Sequence, residues 1–214
     1  MAKGRTSAKK ASSAEIVIKA PNIRQLKVTV VGTTPLIQCA WGKKLGVMEE
    51  DRKQKDSGTA PKKGRTVRDP MAECKDAIHW LSGDQPAIPA IAFKRAMVDA
   101  CRLVEGLTMV QAKGLFIVLG ELLPVKGKWH MRKDAVRVPP GPKGAADVRY
   151  RPEWPNWEVE LTIEYNANLI TAEQLMNLLL LAGVHQGVGE QRLSAPDKPF
   201  NNGCFTIKGR PESS

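Results

Sequence analysis

The chain has 214 residues, of which 33 are Lys or Arg and 22 are Asp or Glu, so its formal net charge is +11 at pH 7. This length suits one sizeable hydrophobic core. The positive charge favours an anionic partner, above all nucleic acid. No apolar run is long enough to cross a bilayer, and the N-terminus lacks the apolar segment of an export signal, so we expect no membrane partner and a cytoplasmic location.

Neither the cysteines nor the histidines have the spacing of a metal site. The cysteines are Cys39, Cys74, Cys101 and Cys204. They are scattered along the chain and contain no CxxC pair, which indicates reduced and mostly buried thiols. We therefore expect no metal and no cofactor.

In chain order, residues 1–24 are predicted to be a disordered basic arm, either a phosphate tether or a solubilising tail. Residues 25–210 are predicted to form one domain, followed by a short tail at 211–214. A β-branched strand is expected at 26–31. A basic insertion at about 38–88 follows, with a short helix expected at 70–81.

The second half of the chain alternates further strands and helices. The pattern predicts a helix at 90–104, a strand at 115–123 and a second basic insertion at 124–156. A strand with strict apolar alternation follows at 157–165, then a helix at 171–182 and a last strand at 203–208. The order βαββαβ indicates an α+β protein with a ferredoxin-like core, modified by the two basic insertions.

Two basic segments are candidate nucleic-acid contacts. Their cations would meet successive phosphates, and their aromatic side chains would offer faces for base stacking. The alternative is a solvated loop whose aromatic residues pack on the core. The candidates are Lys62, Lys63, Arg65 and Arg68 in the first insertion, and Lys126, Lys128, Trp129, Arg132, Lys133, Arg137, Arg149, Tyr150 and Arg151 in the second.

A glycine-rich loop, 183–192, follows the last helix, which the Thr171 and Gln174 capping box begins and Gly183 is expected to end. Gly187 and Gly189 could admit a phosphate to the backbone amides, with Arg192 as its charge partner. The alternative is a helix cap and a tight turn.

Catalysis has little support in the sequence. Asp69 lies among basic residues and could promote phosphodiester cleavage, but an aspartate before Pro70 is also a typical helix N-cap. No nucleophile and base can be paired, so we expect no catalytic residues.

The chain resembles the RAMP (repeat-associated mysterious protein) superfamily, which includes the guide-RNA-coating subunits of CRISPR complexes. The resemblance rests on the strand and turn at 28–36, the βαββαβ order with basic insertions, and the loop and strand at 182–207. The loop is similar to that of small phage-encoded members. The resemblance implies an RRM-like core that binds single-stranded nucleic acid along its backbone, adjacent subunits forming a filament. It makes Gly187, Gly189 and Arg192 backbone contacts and the insertions thumb or palm elements.

We therefore expect a non-catalytic protein of a bacterial host cell that binds single-stranded DNA or RNA as a homo-oligomer along the strand. One alternative is a guide-RNA-binding backbone subunit of a CRISPR-like ribonucleoprotein. Another is a phage structural or assembly protein that binds an acidic partner.

Overall fold

The computed structural model describes residues 19–40, 68–82, 84–138, 145–195 and 200–209, which form ten strands, four α-helices and one 3₁₀ turn. The strands are β1 (Ile23–Gly32), β2 (Leu36–Ile37), β3 (His79–Leu81), β4 (Gln85–Pro89), β5 (Phe116–Val118), β6 (Leu122–Lys126), β7 (His130–Val138), β8 (Ala145–Trp154), β9 (Glu158–Asn166) and β10 (Phe205–Ile207). The helices are α1 (Pro70–Asp76), α2 (Ala90–Ala100), α3 (Met109–Leu115) and α4 (Ala172–His185), and the 3₁₀ turn is Cys101–Leu103.

The architecture is mixed α+β with two antiparallel sheets. The larger sheet has the order β10-β1-β9-β6-β4-β3, and β5 also pairs with β9. The smaller sheet has the order β2-β8-β7. The central pair is β1 and β9, which run antiparallel from Ile23 opposite Asn166 to Val31 opposite Glu158.

The core lies between the larger sheet and the helices α2 and α4. Alternation along β9 buries Val159, Leu161, Ile163 and Tyr165 on one face, as the sequence predicts. The other face of β9 carries Glu160 and Glu164. Trp154 and Trp157 are fully buried and belong to the same core.

Both predicted insertions contain regular structure. In the first, β3 and β4 extend the larger sheet beyond β6, so this part of the insertion joins the core. In the second, β7 and β8 form a long hairpin with nine residue pairs. The sequence did not predict β7 and β8, because in these two strands cross-strand ion pairs replace the apolar alternation that usually marks a strand.

Several element boundaries differ from prediction. The helix expected at 70–81 ends at Asp76, because the chain turns at Ile78 and enters β3, which contains Trp80. The strand expected at 115–123 is two strands, which Gly120 separates at a φ of +96°. Helix α3 was not predicted, although Thr108 and Gln111 form a capping box at its start.

Helix α4 also continues past its expected end at Gly183 to His185. The absence of a side chain at Gly183 serves a different purpose, since a Cβ there would lie 2.0 Å from the carbonyl oxygen of Phe205. The glycine therefore lets α4 pack directly against β10. None of the described helices is long and apolar enough to cross a membrane.

Candidate nucleic-acid interface

The β7–β8 hairpin divides the predicted contact residues between two faces. Residues directly opposite in an antiparallel pair share a face, and successive residues alternate. Arg132 lies opposite Arg151, whereas Lys133 lies opposite Tyr150. We call the face with Arg132 and Arg151 the inner face and the face with Lys133 and Tyr150 the outer face.

The inner face holds its cations in ion pairs. Arg132 donates to Asp134 Oδ1 and to Glu153 Oε1, both at 2.8 Å. The hydrogen bond to Asp134 and the bond to Glu153 raise the pKa of Arg132 despite partial burial. His130 Nε2 lies 2.9 Å from the other oxygen of Glu153. These groups neutralise one another and leave little charge for a phosphate.

Arg151 is the most deeply buried of these cations, with 4% of its side chain exposed. Its Nε donates to Glu190 Oε2 at 2.5 Å, and its Nη1 lies 3.9 Å from Glu73 Oε1. Burial alone would lower the pKa of Arg151, but the charge of Glu190, the hydrogen bond to it and the charges of Cys39 and Glu73 together outweigh that effect, and the pKa is raised. Arg151 thus joins β8 to the glycine loop, and its predicted contact with nucleic acid stays a prediction.

Arg68 and Arg149 complete this ion-pair network. Arg68 donates to both carboxylate oxygens of Glu73 and, at 2.7 Å, to Asp147. The pKa of Asp147 is lowered, first by the amide of Val148 and then by Arg68. Arg149 lies 4.0 Å from Glu190 and keeps 39% of its side chain exposed. Arg149 is therefore the inner-face arginine that remains most open to a ligand.

The outer face has a different character. Lys133 is exposed and Tyr150 beside it is partly exposed. Within the described part of the chain, Lys133 forms no ion pair. Trp154 follows on the same face of β8, toward the base of the hairpin, and Trp129, just before β7, has its ring centroid 6.4 Å from that of Trp154.

An open cleft of about 1300 Å³ begins at Trp129. Lys75 of α1, Trp80 of β3, Asp84 of the β3–β4 turn, and Lys126, Lys128 and Trp129 contribute to its lining, and we call it the tryptophan cleft. The cleft lies between α1, the β3–β4 hairpin and the segment that joins β6 to β7. It brings together three of the predicted contact residues: Lys126, Lys128 and Trp129.

The rings in the cleft are held in place. Trp80 Nε1 donates to the carbonyl oxygen of Lys75 at 2.9 Å. Trp80 and Trp129 meet edge to face, with centroids 6.5 Å apart and ring planes at 73°. Both side chains pack against the core but stay partly exposed. A half-buried, anchored indole is a suitable stacking platform because little conformational entropy is lost on binding.

The lysines of the cleft are exposed. Lys126 lies opposite Glu158 in the β6–β9 register. The two carboxylate oxygens of Glu158, however, accept hydrogen bonds from Lys208 Nζ, at 2.9 and 3.0 Å. Lys128 is two residues away on the same rim. Neither lysine is paired with an acid among the residues that the structure describes. Their charges are available to an anion.

The glycine loop packs against the protein itself. The amide of Val188 donates to Gly203 O, and the amide of Glu190 donates to Ile37 O. The amide of Gly187 donates to Ala182 O, at the end of α4. These amides are occupied within the protein. These contacts give the loop a packing role, and the contact of Gly187 and Gly189 with a phosphate stays a prediction.

Gly189 has a φ of +88°, and a Cβ there would lie 2.5 Å from Ile37 O. Arg192 is partly exposed and donates weakly to Gly189 O at 3.4 Å. Gln191, the residue before Arg192, donates to Asp134 Oδ2 at 3.0 Å and so joins the loop to the hairpin. The loop thus fixes the hairpin in place, and Arg192 remains its one predicted contact with an accessible side chain.

Asp69 acts as the N-cap of α1. Its Oδ1 accepts from the amides of Met71 and Ala72 at 2.9 and 3.2 Å. This geometry gives the residue a structural task, as the capping interpretation of the sequence expects.

The remaining predicted contacts are less fully placed. Lys62, Lys63 and Arg65 lie outside the described residues, and for Arg137 the structure gives the backbone, which pairs with Ala146. Lys75, Trp80 and Asp84 are among the residues of the cleft that the sequence did not predict as site residues. The signal in the sequence was Trp80 close to a Gly-Asp pair, but its relation to Trp129 is visible only once β4 has paired with β6.

No protein-family model matches this sequence, and no curated protein is detectably similar to it. Among solved structures, the crystal structure of Cmr6 from Pyrococcus furiosus aligns with 87% of this chain and 99% of its own length. The TM-score is 0.45 and the sequence identity is 8%.

Proposed function

We propose that this protein binds single-stranded nucleic acid without cleaving it, along a track formed by the tryptophan cleft and the outer face of the β7–β8 hairpin. The observation that carries the proposal is the grouping of exposed Lys126 and Lys128 with partly exposed Trp129 in one cleft. The lysines would neutralise phosphates while an indole stacks on a base. A single strand fits this arrangement because the base faces of a duplex are already stacked.

The outer face extends the track beyond the cleft. Lys133 and Tyr150 stand side by side on this face and repeat the combination of cation and aromatic ring. Arg132 and Arg151 of the inner face have another task, since Glu73, Glu153 and Glu190 hold them to the protein. Binding would therefore follow one side of the hairpin.

We further propose that the core is ferredoxin-like, of the modified RRM type, and that the chain is a RAMP superfamily protein. The strand order β10-β1-β9-β5 or β6 supports the core assignment, with α2 and α4 as the two crossover helices. The solvent face of β9 carries Glu160 and Glu164 and would repel phosphates. This charge supports binding at the cleft and hairpin in place of the sheet face.

The test is a titration of fluorescein-labelled single-stranded DNA and RNA, and of a duplex of equal length, over a range of salt concentrations. We expect both single strands to bind more tightly than the duplex. Because phosphate contacts release counterions, the logarithm of affinity should fall linearly with the logarithm of salt concentration. Preference for the duplex, or no binding to any of these probes, would refute the proposal.

A matched pair of variants locates the site. Replacing both Lys126 and Lys128 by Ala should reduce the salt slope by about 1.4, since each single-strand phosphate contact contributes about 0.7. Replacing Lys27 and Lys113 by Ala removes the same charge from exposed positions outside the cleft. That control should leave the slope unchanged.

Two further measurements separate the open alternatives. A discrete RNA species that co-purifies with the protein would favour a guide-RNA-binding subunit, whereas heterogeneous fragments would favour a general single-strand binder. Sedimentation of the protein with strands of increasing length would reveal whether copies assemble along the strand, as we propose.

A further inference from the structure

We infer that the tryptophan cleft prefers guanine, with Asp84 accepting hydrogen bonds from the base while the base stacks on a cleft indole. The inference rests on the proposed function and adds a base preference to it. It follows from the position of Asp84, the partners of the neighbouring acid, and the ring geometry in the cleft.

The β3–β4 hairpin places Asp84 near Trp80. Trp80 lies opposite Pro86 and Leu81 opposite Gln85, so Asp84 is in the turn, one residue before Gln85. Pro86 lies opposite Trp80 and Asp84 precedes Pro86 by two residues, so at about 3.3 Å per residue Asp84 lies about 7 Å farther along the hairpin than Trp80. A purine ring spans a gap of this order, so a base stacked on the indole could reach the carboxylate with its edge.

Asp84 is also chemically available. Its side chain is exposed and forms no hydrogen bond or ion pair with any residue that the structure describes. Asp76 is the other acid in the cleft lining, but it already interacts within the protein. Of the two carboxylates in the described lining of the cleft, that of Asp84 is therefore the one left available to a base.

The ring geometry leaves room for a base. Trp80 and Trp129 form a T-shaped pair. In a T-shaped pair, the edge of one ring points at the face of the second ring. The second ring therefore covers neither face of the first. A base would stack on the cleft side of Trp80, which is partly exposed, without separating the two indoles, and the hydrogen bond from Trp80 to Lys75 O keeps that ring oriented.

The chemistry of the four bases then selects guanine. An ionised carboxylate only accepts hydrogen bonds, and its two oxygens can accept two parallel ones. Guanine presents two adjacent donors on its Watson–Crick edge, N1–H and the N2 amino group. Adenine and cytosine present one exocyclic amino donor on this edge, beside an acceptor nitrogen that would face the second oxygen unfavourably. Uracil and thymine present one imide N–H between two carbonyl oxygens.

A backbone explanation for Asp84 also exists. Its φ is +58°, and aspartate is one of the residues that tolerate this conformation in tight turns. Asparagine tolerates it at least as well. Asp84→Asn therefore keeps the turn and the shape of the side chain but loses the paired acceptors, which separates recognition from turn formation.

The experiment compares the affinity of the full chain for oligothymidine 12-mers that contain one central guanine, adenine, cytosine or thymine. We expect the guanine strand to bind about tenfold more tightly than the thymine strand, at the low end of the range for a bidentate base contact. Inosine lacks the N2 amino group and should lose most of this preference. 7-Deazaguanine retains the Watson–Crick edge and should keep it.

Asp84→Asn should bring the guanine-to-thymine affinity ratio close to one. Loss of a negative charge should slightly strengthen binding of all strands, so the ratio is the informative quantity. Glu105→Gln removes an exposed acid outside the cleft and should leave the ratio at its original value.

Each other outcome has a distinct meaning. Equal affinities for all four strands would overturn the guanine preference and leave the proposed function intact. A guanine preference that persists in Asp84→Asn, or that inosine fully retains, would overturn the role of Asp84. Failure to bind any strand would refute the proposed function itself.

Discussion

Arg151 Nε and Glu190 Oε2 are 2.5 Å apart, and this contact joins the β7–β8 hairpin to the glycine loop after α4. Arg151 has 4% of its side chain exposed and Glu190 has 26%. The same carboxylate also lies 4.0 Å from the more exposed Arg149. Two arginines that look alike in the sequence therefore have different environments around one acid.

Arg151→Ala should destabilise the fold strongly. Removal of one partner from a buried ion pair leaves the other charge poorly compensated, which typically costs about 3–5 kcal/mol. Because Glu190 keeps some contact with solvent and Arg149, we expect the low end of that range, about 3 kcal/mol. Urea unfolding monitored by tryptophan fluorescence measures this change in the free energy of unfolding.

Arg149→Ala is the matched control for that prediction, since Arg149 is an arginine on the same strand that faces the same carboxylate, Glu190. An exposed pair at this distance contributes less than about 1 kcal/mol. Similar losses of stability in the two variants would contradict the distinction between a buried tie and an open arginine.

Gly189→Ala should destabilise the protein by about 3 kcal/mol, from the positive φ together with steric overlap. The overlap arises because a Cβ at this position would lie 2.5 Å from Ile37 O, forcing the backbone of β2 or the loop to move. Gly106→Ala is the control, because Gly106 has a φ of +78° and no heavy atom within 4 Å of the position that an added Cβ would take. In thermal or urea unfolding, Gly106→Ala should lower the free energy of unfolding by only about 1 kcal/mol, the part that the positive φ causes. Equal losses would show that packing against Ile37 contributes nothing.

Asp69→Ala should lower the free energy of unfolding by about 1 kcal/mol, because the amides of Met71 and Ala72 lose their acceptor. Asp69→Ser should restore most of the loss, since serine is also a good N-cap. Neither change should alter the rate at which a purified sample degrades single-stranded RNA. A lower rate in both variants would instead support a catalytic carboxylate.

Stability should fall on acidification below about pH 6.5, in part because of His79. Burial lowers the pKa of His79 in the folded protein, whereas the unfolded chain titrates near 6.5. Between these two values the unfolded chain binds more protons, so the free energy of unfolding rises with pH and is lost as pH falls toward the folded-state pKa.

His79→Asn should flatten this part of the curve. The measurement is the free energy of unfolding from urea titrations at several pH values between about 5 and 8, for both proteins. Parallel curves for the wild type and the variant would assign the acid sensitivity to other groups.

The sequence predicted the main strands and helices where local signals and tertiary packing agree. The alternation at Val159, Leu161 and Ile163 identifies β9, and the Thr171 and Gln174 capping box identifies the start of α4. These signals depend on neighbouring residues alone. The hairpin strands β7 and β8 carry no such signal, because their charged residues are compensated across the pair and by Glu190 from a distant loop.

The sequence by itself determined the positive charge, the mixed α+β composition and the presence of Lys126, Lys128 and Trp129 in one short basic segment. Only the tertiary structure decided which cations are available. Strand alternation sends Arg132 and Arg151 to the inner face and Lys133 to solvent. On the inner face, acids of the hairpin itself pair with Arg132, and Glu190 of the glycine loop pairs with Arg151. It also decided that Trp80 meets Trp129, since sheet pairing brings together residues that are far apart in the chain. Burial and ion pairing are long-range properties, so the same residue type in the same segment acquires opposite roles.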